Sequence, residues 1–258
     1  MNSLPITLLS RIEDAGINAS APPQQRWIDG WLLRYSAGKA KRARCVQAVA
    51  EGRLPLDQRL DLCAAVLRDA GLPMVVRITP FSRPESLDEA LAQRGYGRFD
   101  ETRVMVAPRL PAQAELLPPG LQLQRLSPVD FAESVGLMRG SPPGQRAAQA
   151  ERLTLSPVPY QAWVLRRGEG GAVLACGQMA TEAELVGLYD VFTAPEVRGQ
   201  GLARQLCCAL LAQAGAAGAT VAYLQVEADN APARAIYHRL GFDDAYSYHY
   251  RAPDPDAA

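Results

Sequence analysis

The chain carries the same order of elements twice, and this repeat restricts the fold more than any other feature. "PLDQRLDLCAAVLRDAGLPMVVRITPFSRPESLDEALAQRGYGRFDETRVMVA" reads as helix, strand, loop, helix, Gly-aromatic turn and strand. "RGQGLARQLCCALLAQAGAAGATVAYLQVEADNAPARAIYHRLGFDDAYSYHYRA" repeats that order, and "AQRGYGRFDETRVMV" parallels "YHRLGFDDAYSYHYR". A divergent repeat of mixed helix and strand implies two related α/β units, and 258 residues are enough for two domains. Prolines and small residues cluster in "APRLPAQAELLPPG", Ala107 to Gly120, the best linker candidate. The expected units are therefore residues 1–112 and 113–258. One difference separates them: the first copy has "LPLDQRLDL" where the second has "VRGQGLARQL", so its glycines are missing.

The remaining elements follow from local signals. Leu4, Leu8, Leu9 and Ile12 fit one face of an N-terminal helix. "SPVDFAESVGLMRG" opens with a Ser-Pro helix start, and "GQRAAQAERLTL" continues as a second helix. "QAWVLRR" and "GAVLACGQMAT" form a hairpin around "GEGG", followed by the longer strand "AELVGLYDVFT". Trp27 and Trp31 lie in an alternating stretch that suggests strand core. Lysine plus arginine equals aspartate plus glutamate, so no global field favours nucleic acid or a membrane surface. No apolar run is long enough to span a bilayer, and the N-terminus lacks a signal-peptide pattern. Five cysteines without metal-like spacing read as reduced core thiols of a cytoplasmic protein, and His238 and His249 do not build a metal site.

Thr193 to Leu206, "TAPEVRGQGLARQL", places two glycines where a helix is about to begin. A helix N-terminus offers about four unpaired N–H groups and a partial positive charge. Glycines let a bulky anion approach that backbone, and Arg198 adds charge, so the stretch suits a pyrophosphate. The alternative is a plain strand-to-helix turn. It is not a Walker loop, because no Gly-Lys-Ser/Thr follows, and its spacing is not that of a dinucleotide fingerprint.

"VRGQGLA" resembles the R/Q-x-x-G-x-G/A motif of the GNAT superfamily of N-acetyltransferases, with Ala203 at the last position. Downstream, "NAPARAIYHRLGF" is similar to that family's N-x-x-A-x-x-hydrophobic-Y-x-x-x-G-F signature at Asn230, Ala233, Ile236, Tyr237, Gly241 and Phe242. The resemblance covers about Leu121 to Arg251. Trp27 to Val106 resembles, more weakly, the degenerate N-terminal domain of tandem GNAT proteins. It implies two GNAT-like domains, each with a mixed, mostly antiparallel sheet flanked by helices, and acetyl-CoA as acyl donor without a metal. It implies that Val191, Phe192 and Thr193 hold the pantetheine arm, on a strand splayed from its parallel neighbour. Arg198, Gly199, Gln200, Gly201, Leu202 and Ala203 would hold the pyrophosphate. Asn230 would reach the cofactor or serve only as a helix cap. Tyr237 would protonate the leaving thiolate, or merely pack.

The base is open on sequence grounds. Asp190 is the leading candidate, because a carboxylate in an apolar strand is costly to bury unpaired. It reads equally as a satisfied structural carboxylate, and Glu184 and Glu227 are weaker candidates. In the first half, Lys39, Lys41, Arg42 and Arg44 surround a Ser-Ala-Gly turn, as a solvated hairpin face or a substrate-docking patch. The expected activity is acetyl transfer to a primary amine of a small or amino-acid-like molecule, by a monomer or homodimer. A non-catalytic acyl-CoA sensor and a protein N-acetyltransferase are the alternatives.

Overall fold

The two halves of the chain contribute to one continuous sheet. The computed structural model describes residues 4–36, 38, 40–110 and 117–257. The first half runs α1 (Ile6–Ala19), β1 (Gln24–Ile28), β2 (Trp31–Tyr35), β3 (Val46–Gln47), α2 (Leu56–Asp69), β4 (Val76–Ile78), α3 (Leu87–Gln93) and β5 (Gly97–Ala107). The second runs β6 (Leu121–Leu126), α4 (Pro128–Met138), α5 (Pro143–Thr154), β7 (Tyr160–Arg167), β8 (Val173–Glu182), β9 (Leu185–Thr193), α6 (Leu202–Ala216), β10 (Val221–Glu227), α7 (Ala231–Arg239) and β11 (Asp243–Ala252). The strand order is β1-β2-β3-β4-β11-β5-β10-β9-β8-β7-β6. Only β3–β4 and β9–β10 are parallel among these neighbours, so the sheet is mixed and mostly antiparallel, as expected.

The halves exchange their last strands. β5 closes the first half yet lies between β10 and β11, and β11 closes the second yet lies between β5 and β4. The run "VMVA" in β5 follows from this central place: Val104, Met105, Val106 and Ala107 are all buried, on alternate faces. Met105 and Ala107 pack with Leu206 and Leu210 of α6 and with Tyr237 of α7. Val104 and Val106 pack on the opposite face with Ile12 and Ala15 of α1 and with Tyr223 and Tyr248. A buried ion pair between Arg77 and Glu13 ties α1 to β4, and the Arg77 guanidinium lies 3.8 Å from the centre of the Tyr248 ring. The expected boundary at residues 112 and 113 lies outside the described residues.

The local signals mostly act as expected. Ser127 caps α4 by accepting from the Asp130 N–H. All five cysteines are free and buried. Trp31 is fully buried, but Trp27 is 63% exposed and is not core. Trp27 pairs with Leu32 and Trp31 with Ile28 across a hairpin, so the two tryptophans lie on opposite faces. β1 is the outermost strand, and nothing described covers the Trp27 side. Among the described residues, no helix is long and apolar enough to cross a membrane.

Candidate active site

The site grows from a local disagreement between two strands. β9 and β10 pair in parallel from Leu185 with Val221 to Leu188 with Leu224, and both strands then continue without pairing to each other. The cause lies in β9. Cys176 of β8 pairs with Phe192 and Gln178 with Tyr189, so Asp190 and Val191 together oppose Gly177. This is a bulge, and Asp190 takes a left-handed φ of 50° there. Its carboxylate accepts from Arg139 at 3.0 Å, from Gln149 at 3.0 Å and from Gln178 at 3.1 Å. The leading base candidate is thus engaged by three donors that hold the bulge in place.

A cavity of about 630 Å³ occupies the opening. Leu188, Asp190 and Val191 of β9, Gln225 and Glu227 of β10, and Asn230 and Tyr237 line it from the second half. The side-chain oxygen of Asn230 accepts from the Ala233 N–H at 3.2 Å, so the cap role is real, at the cavity wall. Tyr237 is buried against Phe242. Burial, with a smaller effect of Cys207, raises its phenol above the usual range and keeps it protonated.

Val191, Phe192 and Thr193 end β9, and a short 3-10 turn at Pro195–Val197 leads to the glycines. Gly199 and Gly201 have φ of 78° and 77°, and a Cβ at either would meet nothing within 4 Å. Gly201 is the N-cap of α6, so Leu202 and Ala203 form its first turn. Arg198 lies beside them, with its guanidinium 5.4 Å from the centre of the Phe192 ring and its Nε donating to the Thr193 carbonyl. Gln200 sits between the glycines. This turn is not part of the cavity wall, but β9 connects the two.

The weaker base candidates separate. Glu184 sits before β9 and accepts from both Arg11 nitrogens at 2.6 and 2.9 Å, away from the cavity. Glu227 lines the cavity, exposed and without an ion pair among the described residues. Sequence reasoning left the opposite wall open, as a solvated face or a substrate-docking patch. Lys41, Arg42 and Arg44 of the first half line the cavity, with Asp100, Thr102 and Tyr248. Arg42 donates to Gln225 at 2.5 Å and to the Tyr248 hydroxyl at 3.1 Å. Burial alone would raise the Tyr248 phenol; the Arg42 and Arg77 guanidiniums outweigh it and lower it. The solvated-face reading of this cluster is therefore wrong for Arg42 and Arg44, while Lys39 lies outside the described residues. The signal was present in "AKRARC": the arginines alternate with Ala43 and Cys45, both buried. His238 and His249 are engaged elsewhere, with the Phe242 carbonyl and Asp88.

Residues 135–242 match the acetyltransferase (GNAT) family. The chain is 28% identical over 242 residues to the uncharacterized N-acetyltransferase YobR of Bacillus subtilis, covering 88% of this chain and 91% of the relative. Its fold is similar to that of a GCN5-related N-acetyltransferase from Kribbella flavida, with a TM-score of 0.68 at 17% identity over 95% of both chains. It is also similar to a tandem GNAT protein from the clavulanic acid biosynthesis pathway, with a TM-score of 0.62 at 15% identity over 93% of this chain and 88% of that one. With the splayed parallel pair and the glycine-opened helix, residues 135–242 form a domain of the acetyltransferase (GNAT) family, and the protein is an acyltransferase enzyme.

Proposed function

We propose that the protein transfers an acetyl group from acetyl-CoA to the primary amine of a small, amino-acid-like molecule by direct attack on the thioester. The observation that carries this reading is the opening between β9 and β10, with an uncovered glycine turn at the end of β9 and a cavity at its base. Acetyl-CoA supplies an acyl group already activated as a thioester. The turn fits its pyrophosphate: space over Gly199 and Gly201 is open where a β-carbon would stand. Arg198 and the N–H groups from Gly199 to Ala203 hold the phosphates. The end of β9 that parts from β10, Val191 to Thr193, holds the pantetheine arm through its backbone.

Tyr237 gives its proton to the departing thiolate as the carbon–sulfur bond breaks and the carbon–nitrogen bond forms. Glu227, the cavity carboxylate without an ion pair, accepts the amine's proton through water. Asp190 positions the bulge rather than the proton. A cavity of about 630 Å³ walled by both halves suits a small acceptor. Release of free thiol from acetyl-CoA, followed across a panel of amines with the product identified by mass, tests the reading. Amine-dependent release of one thiol per acetylated amine is expected. Acetyl-CoA binding without any amine-dependent release would instead leave a non-catalytic sensor.

A further inference from the structure

The basic wall contributed by the first half has a charge balance that bears on the acceptor. Four cationic side chains line the cavity: Lys41, Arg42, Arg44 and Arg139. Two are neutralised, Lys41 by Asp100 and Arg139 by Asp190. Among the described residues, the Arg42 side chain bonds only to neutral groups, Gln225 and Tyr248. The Arg44 side chain has no hydrogen bond or ion pair to any described residue, and the Nε atoms of both arginines are buried without a partner. Half-buried guanidiniums that lack a counter-charge are costly unless something supplies one.

The geometry of the strands says where that something lies. Gln225 and Glu227 are two residues apart on β10, so they share a face about 7 Å apart. Arg42 thus holds one end of this stretch and the unpaired Glu227 the other. α6, which opens on the glycine turn, packs on one face of the sheet; Tyr248, which meets Arg42, packs on the other with α1. Donor and basic wall therefore approach the β9–β10 opening from opposite faces.

We infer that the acceptor carries an anionic group, a carboxylate or a phosphate, beside its amine: Arg42 and Arg44 take the anion while Glu227 faces the amine. This rests on the acetyl-transfer reading above and narrows it. The first half is then the acceptor-recognition half of the enzyme.

The test compares matched acceptors on the full chain with acetyl-CoA. One arm pairs amino acids with their C-terminal amides, and the other pairs phosphoethanolamine with ethanolamine. The amide's amine is the more easily deprotonated, so basicity alone favours the neutral partner. A higher kcat/KM for the anionic member of either pair is expected, and the arm that responds identifies the anion. Arg44→Gln removes no described contact, so folding is not at issue; thermal unfolding checks this. It should cut the anionic-to-neutral kcat/KM ratio about 10- to 100-fold, the scale of one charge-assisted hydrogen bond. Arg42→Gln should do the same. Equal use of both members, or an unchanged ratio in both variants, overturns the inference while acetyl transfer stands. If no amine in either arm is acetylated, the underlying reading falls and takes this one with it.

Discussion

The entries to α2 and α6 are counterparts that reached opposite solutions for the same backbone groups. The correspondence is set by their C-terminal ends, where Leu72 N–H donates to Leu67 and Ala219 N–H donates to Ala214. Counting back, the buried Arg59, Leu60, Cys63 and Leu67 match the buried Leu206, Cys207, Leu210 and Ala214. Gly52, Arg53 and Leu54 then match Gly199, Gln200 and Gly201, so the first half keeps one of the two glycines that the sequence comparison read as missing. In the first half, the Arg53 and Leu54 N–H groups donate to the Asp29 carboxylate at 2.9 Å, and Arg59 pairs with that carboxylate at 3.0 Å. A β-carbon on Gly52 would stand 2.1 Å from Asp29. In the second half, among the described residues, no side chain accepts from Gln200 or Gly201, and the space above is open. The first half holds its own anion; the second, under the proposed function, leaves the place for a ligand's.

The same contrast recurs at the next helix. Tyr96 N–H donates to Leu91 and Phe242 N–H donates to Tyr237, so Leu91 stands where Tyr237 does. The first copy thus lacks both the open turn and the phenol.

The largest expected effect comes from closing the open turn. Gly201→Val places a β-branched residue at φ 77°, where it is strained, and fills the space left for phosphate. Acetyl-CoA affinity, measured by calorimetry, should fall at least about 100-fold while the fold survives. Unchanged affinity in a folded variant would break the comparison at its centre.

Tyr237→Phe makes the second copy resemble the first at the chemical step. The ring stays packed on Phe242, so acetyl-CoA affinity should hold while the single-turnover rate falls about 100- to 10,000-fold. A Phe variant with the wild-type single-turnover rate would reduce Tyr237 to a packing residue.

The smallest effect sharpens the comparison through pH. The Arg53 and Leu54 N–H groups, foremost, and the nearby Arg59 hold the Asp29 carboxyl below its ordinary range. A carboxyl depressed in the folded state contributes its stabilisation fully above the unfolded value of about 3.9 and loses it as pH falls through the folded value. Hydrogen exchange at Arg53 and Leu54, corrected for intrinsic rates, should therefore quicken below about pH 4. Asp29→Asn should abolish that pH dependence. Exchange at Gln200 and Gly201, which face no carboxylate, should lack it in either protein. The same acid response at both turns would contradict the assignment.

The fold was legible where periodicity and punctuation agree. The Ser127 cap and the helix after Gly201 were both readable, because each depends on residues close in sequence. The exchange of β5 and β11 was not, since strand order depends on pairings across more than a hundred residues. Half of the site followed the same rule. The glycine turn, Asn230 and Tyr237 sit in local motifs and could be placed. Arg42 and Arg44 could be seen as charged but not located: they reach the cavity because β5 and β11 bring the halves together. Asp190 was recognised as exceptional, but its three partners come from the C-cap of α4, from α5 and from β8, and no local pattern foretells them. Trp27 misled because a hairpin separates it from Trp31 and reverses its face.

The central claim is that one of two corresponding turns binds the acyl donor and the other is closed by Asp29. Calorimetric titration of the full chain with acetyl-CoA tests it most directly, alongside Gly201→Val and Asp29→Asn. The account predicts one molecule bound per chain, lost in Gly201→Val and still one in Asp29→Asn. Two molecules per chain in the wild-type protein, or one that survives Gly201→Val with full affinity, would contradict it.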